Sequence, residues 1–305
     1  MSCFGRFIRV GVVLSIVTAM AAPPVVVSGQ QTVIRAQVNL VNILFTAFDK
    51  KGKHVAGLTK KDIEVYEDGV KQTIEFFSKP SESQTEPLTL AMLVDASGSV
   101  RDKLAVEQMI ASDFLKDVLQ PKRDLASILS FGEDVELIQD FTSDLGRLDN
   151  ALHSVKPGGS TALYDAILLA SEQHLNAEAG RKVIVILSDG EDTSSRTTRK
   201  EAIEAAQKSD VTVFSIGVKS DFGSDWGALR ECARETGGRF FEAKVNAQQI
   251  SNAFQEILNI IKQQYNVSYY SSNPKKDGSF RRVQVRVMKD NVRVQHRSGY
   301  YAPRA

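Results

Sequence analysis

Four near-continuous apolar runs, at 88–94, 126–131, 183–187 and 211–216, are separated by stretches whose apolar residues recur every three or four positions. Runs without polar alternation are what strands buried on both faces require, and such strands belong to sheets covered by helices. Val106, Ile110, Phe114 and Val118 step by four, while Leu163, Ala166, Ile167 and Ala170 follow the i, i+3, i+4, i+7 pattern of one helix face. Residues 195–210 read as a helix rich in Ala and charge. Another helix opens near Gly227, with Asp225 as its cap, and stops at Gly237-Gly238. A short last strand follows at 239–243, then a helix over Ala247–Lys262 with Ile250, Phe254, Ile257, Leu258 and Ile261 on one side. Residues 88–264 are therefore expected to form an α/β domain with a doubly wound, mostly parallel sheet.

The flanks carry a different period. Ile34, Ala36, Val38 and Leu40 alternate with Arg35, Gln37 and Asn39, and the phase slips near Val41, which predicts a bulge or a second strand. Lys51-Gly52 and Asp68-Gly69 are turn signals. After the last helix, Tyr265, Val267 and Tyr269 alternate, Asp277-Gly278 marks a turn, and Val283, Val285, Val287, Val292 and Val294 supply two further strands. Neither flank has enough strands for a core of its own. Residues 30–87 and 265–305 are therefore expected to pack together as a smaller β-sandwich into which the α/β domain is inserted. The segment 79–86, with Pro80, Ser81 and Ser83, suits a crossing between the two.

Residues 1–29 have the layout of a secretory signal peptide: Arg6 and Arg9, an apolar run over 10–20, then Ala21-Ala22-Pro23-Pro24. Cleavage after Ala22 and cleavage after Gly29 both fit. The expected location is secreted or periplasmic, with no transmembrane span in the mature chain; an uncleaved anchor is the alternative. Without the leader, Cys232 is the sole cysteine, so no intrachain disulfide can form. It shares an apolar stripe with Leu229 and Ala233, as a buried structural thiol would. His54, His153, His174 and His296 show no ligand spacing. A formal net charge of +1, with basic residues scattered, gives no reason to expect a nucleic-acid partner.

One cluster stands out from this frame. In Asp95-Ala96-Ser97-Gly98-Ser99, oxygen-bearing side chains alternate where the first apolar run ends. Thr161 follows Pro157-Gly158-Gly159-Ser160, and Asp189 sits in Leu187-Ser188-Asp189-Gly190, directly after the third run. An oxygen-only set with no His or Cys suits a hard divalent cation. Each residue also has a bland role open to it: Ser97 and Ser99 as helix caps, Asp189-Gly190 as a turn.

Taken together, Asp95-x-Ser97-x-Ser99, Thr161 and Asp189-Gly190 resemble the metal-ion-dependent adhesion site of von Willebrand factor type A domains. The wider arrangement, with its Gly299-Tyr300-Tyr301 ending, resembles secreted bacterial proteins related to that family. The resemblance implies that Asp95 and Asp189 face each other across one crevice while Ser97, Ser99 and Thr161 offer hydroxyls to a metal. The ion implied is Mg²⁺ foremost, with Mn²⁺ or Ca²⁺ as alternatives. An open coordination position would accept Asp or Glu from a protein partner. Asp165 is either a supporting residue behind the ligands or a polar residue in the first turn of its helix. Glu191-Asp192 reads as a solvated loop. Trp226, the only Trp, suits packing and partner contact equally.

Enzymatic alternatives find less support. A phosphate-accepting Asp95 calls for a second acid two residues on, where Ser97 stands. A serine nucleophile lacks both a base and the Gly-x-Ser-x-Gly elbow. Metal-assisted hydrolysis is the runner-up and would need a base that the sequence does not name. The expectation is a binding module and not an enzyme.

Overall fold

The computed structural model describes residues 40–83, 86–218, 226–243 and 246–304. The segment expected to be a signal peptide, the alternating residues ahead of Leu40, and Asp225 lie outside them.

The N-terminal flank supplies β1 (Leu40–Phe48), β2 (Ile63–Glu67), β3 (Val70–Gln72) and β4 (Ile74–Ser78), then a one-turn helix α1 (Pro80–Ser83). Asp68 (φ 47°) and Gly69 (φ 84°) make the β2–β3 turn, whose two left-handed positions favour this Asp-Gly pair. The α/β segment runs β5 (Leu88–Asp95), α2 (Leu104–Val118), β6 (Leu125–Phe131), β7 (Val135–Thr142), α3 (Leu145–Ser154) and α4 (Leu163–Leu168). The last of these continues as a π-helical turn over Leu169–Leu175. Then come β8 (Arg181–Ser188), α5 (Arg199–Lys208), β9 (Val211–Val218), α6 (Gly227–Thr236), β10 (Phe240–Ala243) and α7 (Ala247–Lys262). The C-terminal flank adds β11 (Tyr265–Tyr270), β12 (Phe280–Val287), β13 (Arg293–His296) and β14 (Gly299–Tyr301).

The central sheet has the order β10-β9-β8-β5-β6-β7, parallel except for β7. Strand β5 is buried along its whole length because both faces are covered. Leu88, Leu90, Met92 and Val94 point into a core shared with Phe114 of α2 and Phe254 and Leu258 of α7. Ala91 and Leu93 point the other way, towards Leu163 and Ile167 of α4 and Leu229 of α6. The strand order reverses between β5 and β8, which places a crevice at their C-terminal ends.

The two flanks form two four-stranded sheets, β13-β1-β11-β4 and β14-β12-β2-β3, and each sheet draws strands from both ends of the chain. Their inner faces share one core containing Ile43, Phe45, Val65, Val267, Tyr269, Val283 and Val285. The architecture is a doubly wound, mostly parallel α/β sheet inserted in a β-sandwich. Within the sandwich, Glu67 and Arg281 form a buried ion pair at 3.1 Å. Glu67 also accepts from the hydroxyls of Tyr269 and Tyr300, each at 2.9 Å, and of Ser271 at 2.6 Å.

Several local expectations need correction. From Leu40 on, β1 pairs with β11 without interruption, Leu40↔Tyr270 to Phe45↔Tyr265, with Leu40 exposed and Val41 buried; the alternating residues from which the phase slip is read lie outside the described ones. The alternation lapses only at the end of β1, where Phe48 turns from the sandwich core into the α/β core. The helix expected over 195–210 begins at Arg199, behind a capping box made by Thr198 and Glu201. Val106 was expected on the apolar face of its helix, yet it is 39% exposed while Glu107 and Gln108 are buried. Strand β7 and helix α3 had no counterpart in the sequence pattern; β7 is a half-exposed edge with an irregular register to β6.

Candidate metal centre

Asp95 is the last residue of β5 and fully buried. Its Oδ1 accepts from the Ser97 backbone N–H at 2.8 Å, which bends the chain out of the strand into the turn that carries both serines. Its Oδ2 accepts from the Ser188 hydroxyl at 2.5 Å. The hydroxyls of Ser97 and Ser99 lie 2.9 Å apart, and Ser99 Oγ donates to Asp189 Oδ2 at 2.6 Å. Asp95, Ser97, Ser99 and Asp189 thus meet at the mouth of the β5–β8 crevice.

Thr161 reaches the same region on a third loop, held by backbone bonds. Gly158 N–H donates to Ala96 O at 2.7 Å, and Gly98 N–H donates to Gly159 O at 3.2 Å. Gly159 has φ +79°, a left-handed conformation that explains a glycine in this loop. Thr161 is buried, and its N–H donates to Thr193 Oγ1 at 2.9 Å. Among the described residues no hydrogen bond joins its side chain to the Asp95–Asp189 group.

The loop after β8 is tied to α4. Asp192 Oδ1 accepts from the Tyr164 N–H at 3.2 Å and from the Ser195 hydroxyl at 2.6 Å. Asp165 accepts from the backbone N–H groups of Thr197 at 2.8 Å and Arg196 at 3.1 Å. Both acids therefore act as loop staples. Ser188, Thr193 and Ser195 were missed in the sequence, where only their nearness to Asp189 could have drawn attention. Trp226 packs on Phe240 with ring centroids 5.8 Å apart, and its Nε1 is buried without a partner.

The electrostatics favour a cation. Burial, helped by the neighbouring Asp189 carboxylate, pushes the Asp95 pKa up to about 6 despite its three favourable hydrogen bonds. Glu107, on α2, is 2% exposed, and its Oε1 has no partner. Burial and the field of Asp95 raise its pKa to about 8. Among the described residues no three His, Cys, Asp or Glu side chains gather as a metal-binding group. An ion at this crevice would rest on two carboxylates and neutral hydroxyls. That donor chemistry fits a hard divalent cation, whose charge would offset the repulsion between the two acids.

A pH dependence follows. Asp95 and Glu107 hold protons in the fold at pH values where the unfolded chain has released them. Their contribution favours the fold at low pH and is lost as pH rises through about 6 and about 8 respectively. In chelator, the urea midpoint should therefore fall from pH 5 to pH 8 more steeply than in Glu107→Gln. Equal slopes in the two proteins would show that Glu107 is not held protonated.

Fold and crevice together define an α/β domain of the doubly wound class with an oxygen-lined switch point. The sequence profile of the von Willebrand factor type A domain matches residues 89–260, more than half of the chain. The protein belongs to that family. A von Willebrand factor type A protein from Catenulispora acidiphila is 12% identical with a TM-score of 0.51, covering 79% of this chain and 73% of that one. Proximal thread matrix protein 1 from the mussel byssus, solved with a zinc-occupied MIDAS motif, is 17% identical with a TM-score of 0.52. That match covers 61% of this chain and 47% of that one. BatB from Bacteroides thetaiotaomicron is 20% identical over 58% of this chain and 100% of that one, with a TM-score of 0.48. At such identities the likeness is one of fold. A search of curated proteins found no significant match.

Proposed function

We propose that the protein is a metal-dependent protein-binding module, acting outside the cytoplasm after removal of a signal peptide. In this reading Asp95, Ser97, Ser99, Thr161 and Asp189 hold one divalent cation, Mg²⁺ foremost. A partner's Asp or Glu completes the coordination, and Trp226 stands as a further candidate contact. The cation supplies a Lewis-acidic position for that carboxylate; the chain's own part is to fix the oxygens and limit water. We also propose that the sandwich segments are 30–87 and 265–305, flanking the type A domain at 88–264. Among the described residues no helix is long and apolar enough to cross a membrane.

The observation that carries this reading is the meeting of two buried carboxylates and two serine hydroxyls at the crevice mouth, Ser99 Oγ lying 2.6 Å from Asp189. Mg²⁺ keeps near-octahedral geometry and sheds its waters reluctantly, so a site with few protein ligands leaves room for an outside oxygen. Because the ion binds the native crevice and not the unfolded chain, it should stabilise the fold by about 2.7 kcal/mol at ~100 times its dissociation constant. Thermal melts with Mg²⁺, Mn²⁺ and chelator test the metal. A pull-down from the native envelope, with Mg²⁺ and again with chelator, tests the partner. Identical melts in all three conditions, with no metal detected by titration, would remove the site.

A further inference from the structure

Beside the crevice runs an open groove of about 480 Å³, bounded by the β6–β7 turn, by α4 and by the loop that follows β8. Val135, Leu168 and Leu169 give it apolar lining, and Ala162, directly after Thr161, lines it too. From the β6–β7 turn come Glu133 and Asp134. That turn is packed on the loop that carries Thr161: Gly132 O accepts from the Ala162 N–H at 2.8 Å. Gly159 lies against Glu133, for a Cβ placed there would stand 3.5 Å from the Glu133 Cβ and 3.9 Å from its Oε2.

Both acids are exposed, and among the described residues neither carboxylate has a hydrogen-bond or ion-pair partner. Asp165 also lines the groove, with its carboxylate held by the backbone N–H groups of Arg196 and Thr197. The one cation in the lining is Arg196. Three carboxylates thus stand against one guanidinium.

This balance limits what can reach the crevice. A divalent ion on the Asp95 and Asp189 carboxylates is neutral as a unit, so an approaching carboxylate meets mainly the negative rim. Like charges brought together across an interface cost affinity. A base carried next to the acid turns the repulsion into attraction, and a Lys or Arg stem can lie along apolar surface while its head reaches an acid.

We propose that this groove is a subsite for a Lys or Arg side chain of the same partner segment whose Asp or Glu completes the cation's coordination, with Glu133 and Asp134 as counter-charges. The inference rests on the metal-centre reading and adds a requirement to it: the partner's motif pairs an acid with a nearby base. Because both acids are exposed, the contacts are modest singly and sensitive to salt.

The test uses the full chain and synthetic Gly-Ser peptides that carry one Asp and, at each nearby position on either side, one Lys. Every peptide has a counterpart in which norleucine, with the same stem and no charge, replaces Lys. Binding is measured at saturating Mg²⁺, so that differences in metal affinity drop out, and again in chelator. The best Lys peptide should bind about fivefold tighter than its norleucine counterpart at low salt, and the advantage should shrink as salt is added. Glu133→Gln with Asp134→Asn should erase the advantage. Glu133→Lys with Asp134→Lys should transfer it to peptides carrying Glu in place of Lys. Three results would each overturn the subsite while leaving the metal centre standing: Mg²⁺-dependent binding without preference for Lys, a preference kept in the Glu133→Gln, Asp134→Asn variant, or no peptide bound by a chain that titrates with Mg²⁺. A chain that takes up no Mg²⁺ would remove the metal centre, and the subsite with it.

Discussion

Asp95→Asn will abolish the response of the melting temperature to Mg²⁺ and, in chelator at pH 7, will make the protein more stable than the parent. Both effects come from one fact: a carboxylate with no solvent exposure carries its charge beside a second carboxylate. Raising its pKa from 3.8 to about 6 means that the ionised form costs on the order of 3 kcal/mol in the fold. Asparagine keeps an oxygen for the Ser97 N–H and removes the charge. It therefore recovers much of that cost in the metal-free protein while removing the buried anionic ligand proposed for the cation. Ser97→Ala should weaken the metal less, because it removes a neutral oxygen. Melts of the parent and both variants, with chelator and with Mg²⁺, decide the matter. An unchanged Mg²⁺ response in Asp95→Asn would place the cation elsewhere.

Much of this was readable from sequence because burial leaves a plain signature. The four apolar runs became β5, β6, β8 and β9, the core strands of the sheet. Helix α7 keeps the expected limits, and its buried apolar stripe runs from Ile250 to Ile261 within the 16 residues. The missed pieces share a physical cause. Strand β7 lies at a sheet edge, half exposed, and an edge strand need not alternate cleanly. The inward turn of Glu107 was invisible because Val106 offered a better apolar match at the same helical step, while burial and Asp95 both act against the charged carboxyl. The oxygen cluster was legible as a motif. The loop staples Asp165, Asp192 and Ser195 were not, because their partners lie about thirty positions away: 31 for Asp165 with Arg196, 28 for Asp192 with Tyr164.

Glu67→Ala will cost more than any surface change, about 3–5 kcal/mol. The substitution leaves Arg281, 2% exposed, without its counter-charge. It also strips the acceptor from Tyr269 and Tyr300, whose hydroxyls both bond Glu67 Oε2 at 2.9 Å. Arg281 keeps the carbonyl oxygens of Asn273 and Lys275 as acceptors, but these are neutral. Replacing both partners of the ion pair, as in Glu67→Gln with Arg281→Met, should restore part of the loss, since no buried charge is then left alone. Urea unfolding of the single and double variants measures this. If Glu67→Ala unfolds within 1 kcal/mol of the parent, the network contributes little to the fold.

The α/β domain leaves and re-enters the sandwich through two strands that lie side by side: Ser78, ending β4, pairs with Asn266, next to the first residue of β11. Tension applied at the crevice by an anchored partner would therefore pass into both strands together, along their axes. Bonds between β4 and β11 are hardly stretched when both are drawn the same way. The strain falls instead on the ladder between β11 and β1, which runs from Leu40↔Tyr270 to Phe45↔Tyr265. That ladder is loaded in shear, so its bonds resist as a group and not one after another. Under the proposed binding role, a pull on the crevice would be met with the strength of a whole strand pairing, through joints of nine residues (79–87) on one side and two (263–264) on the other.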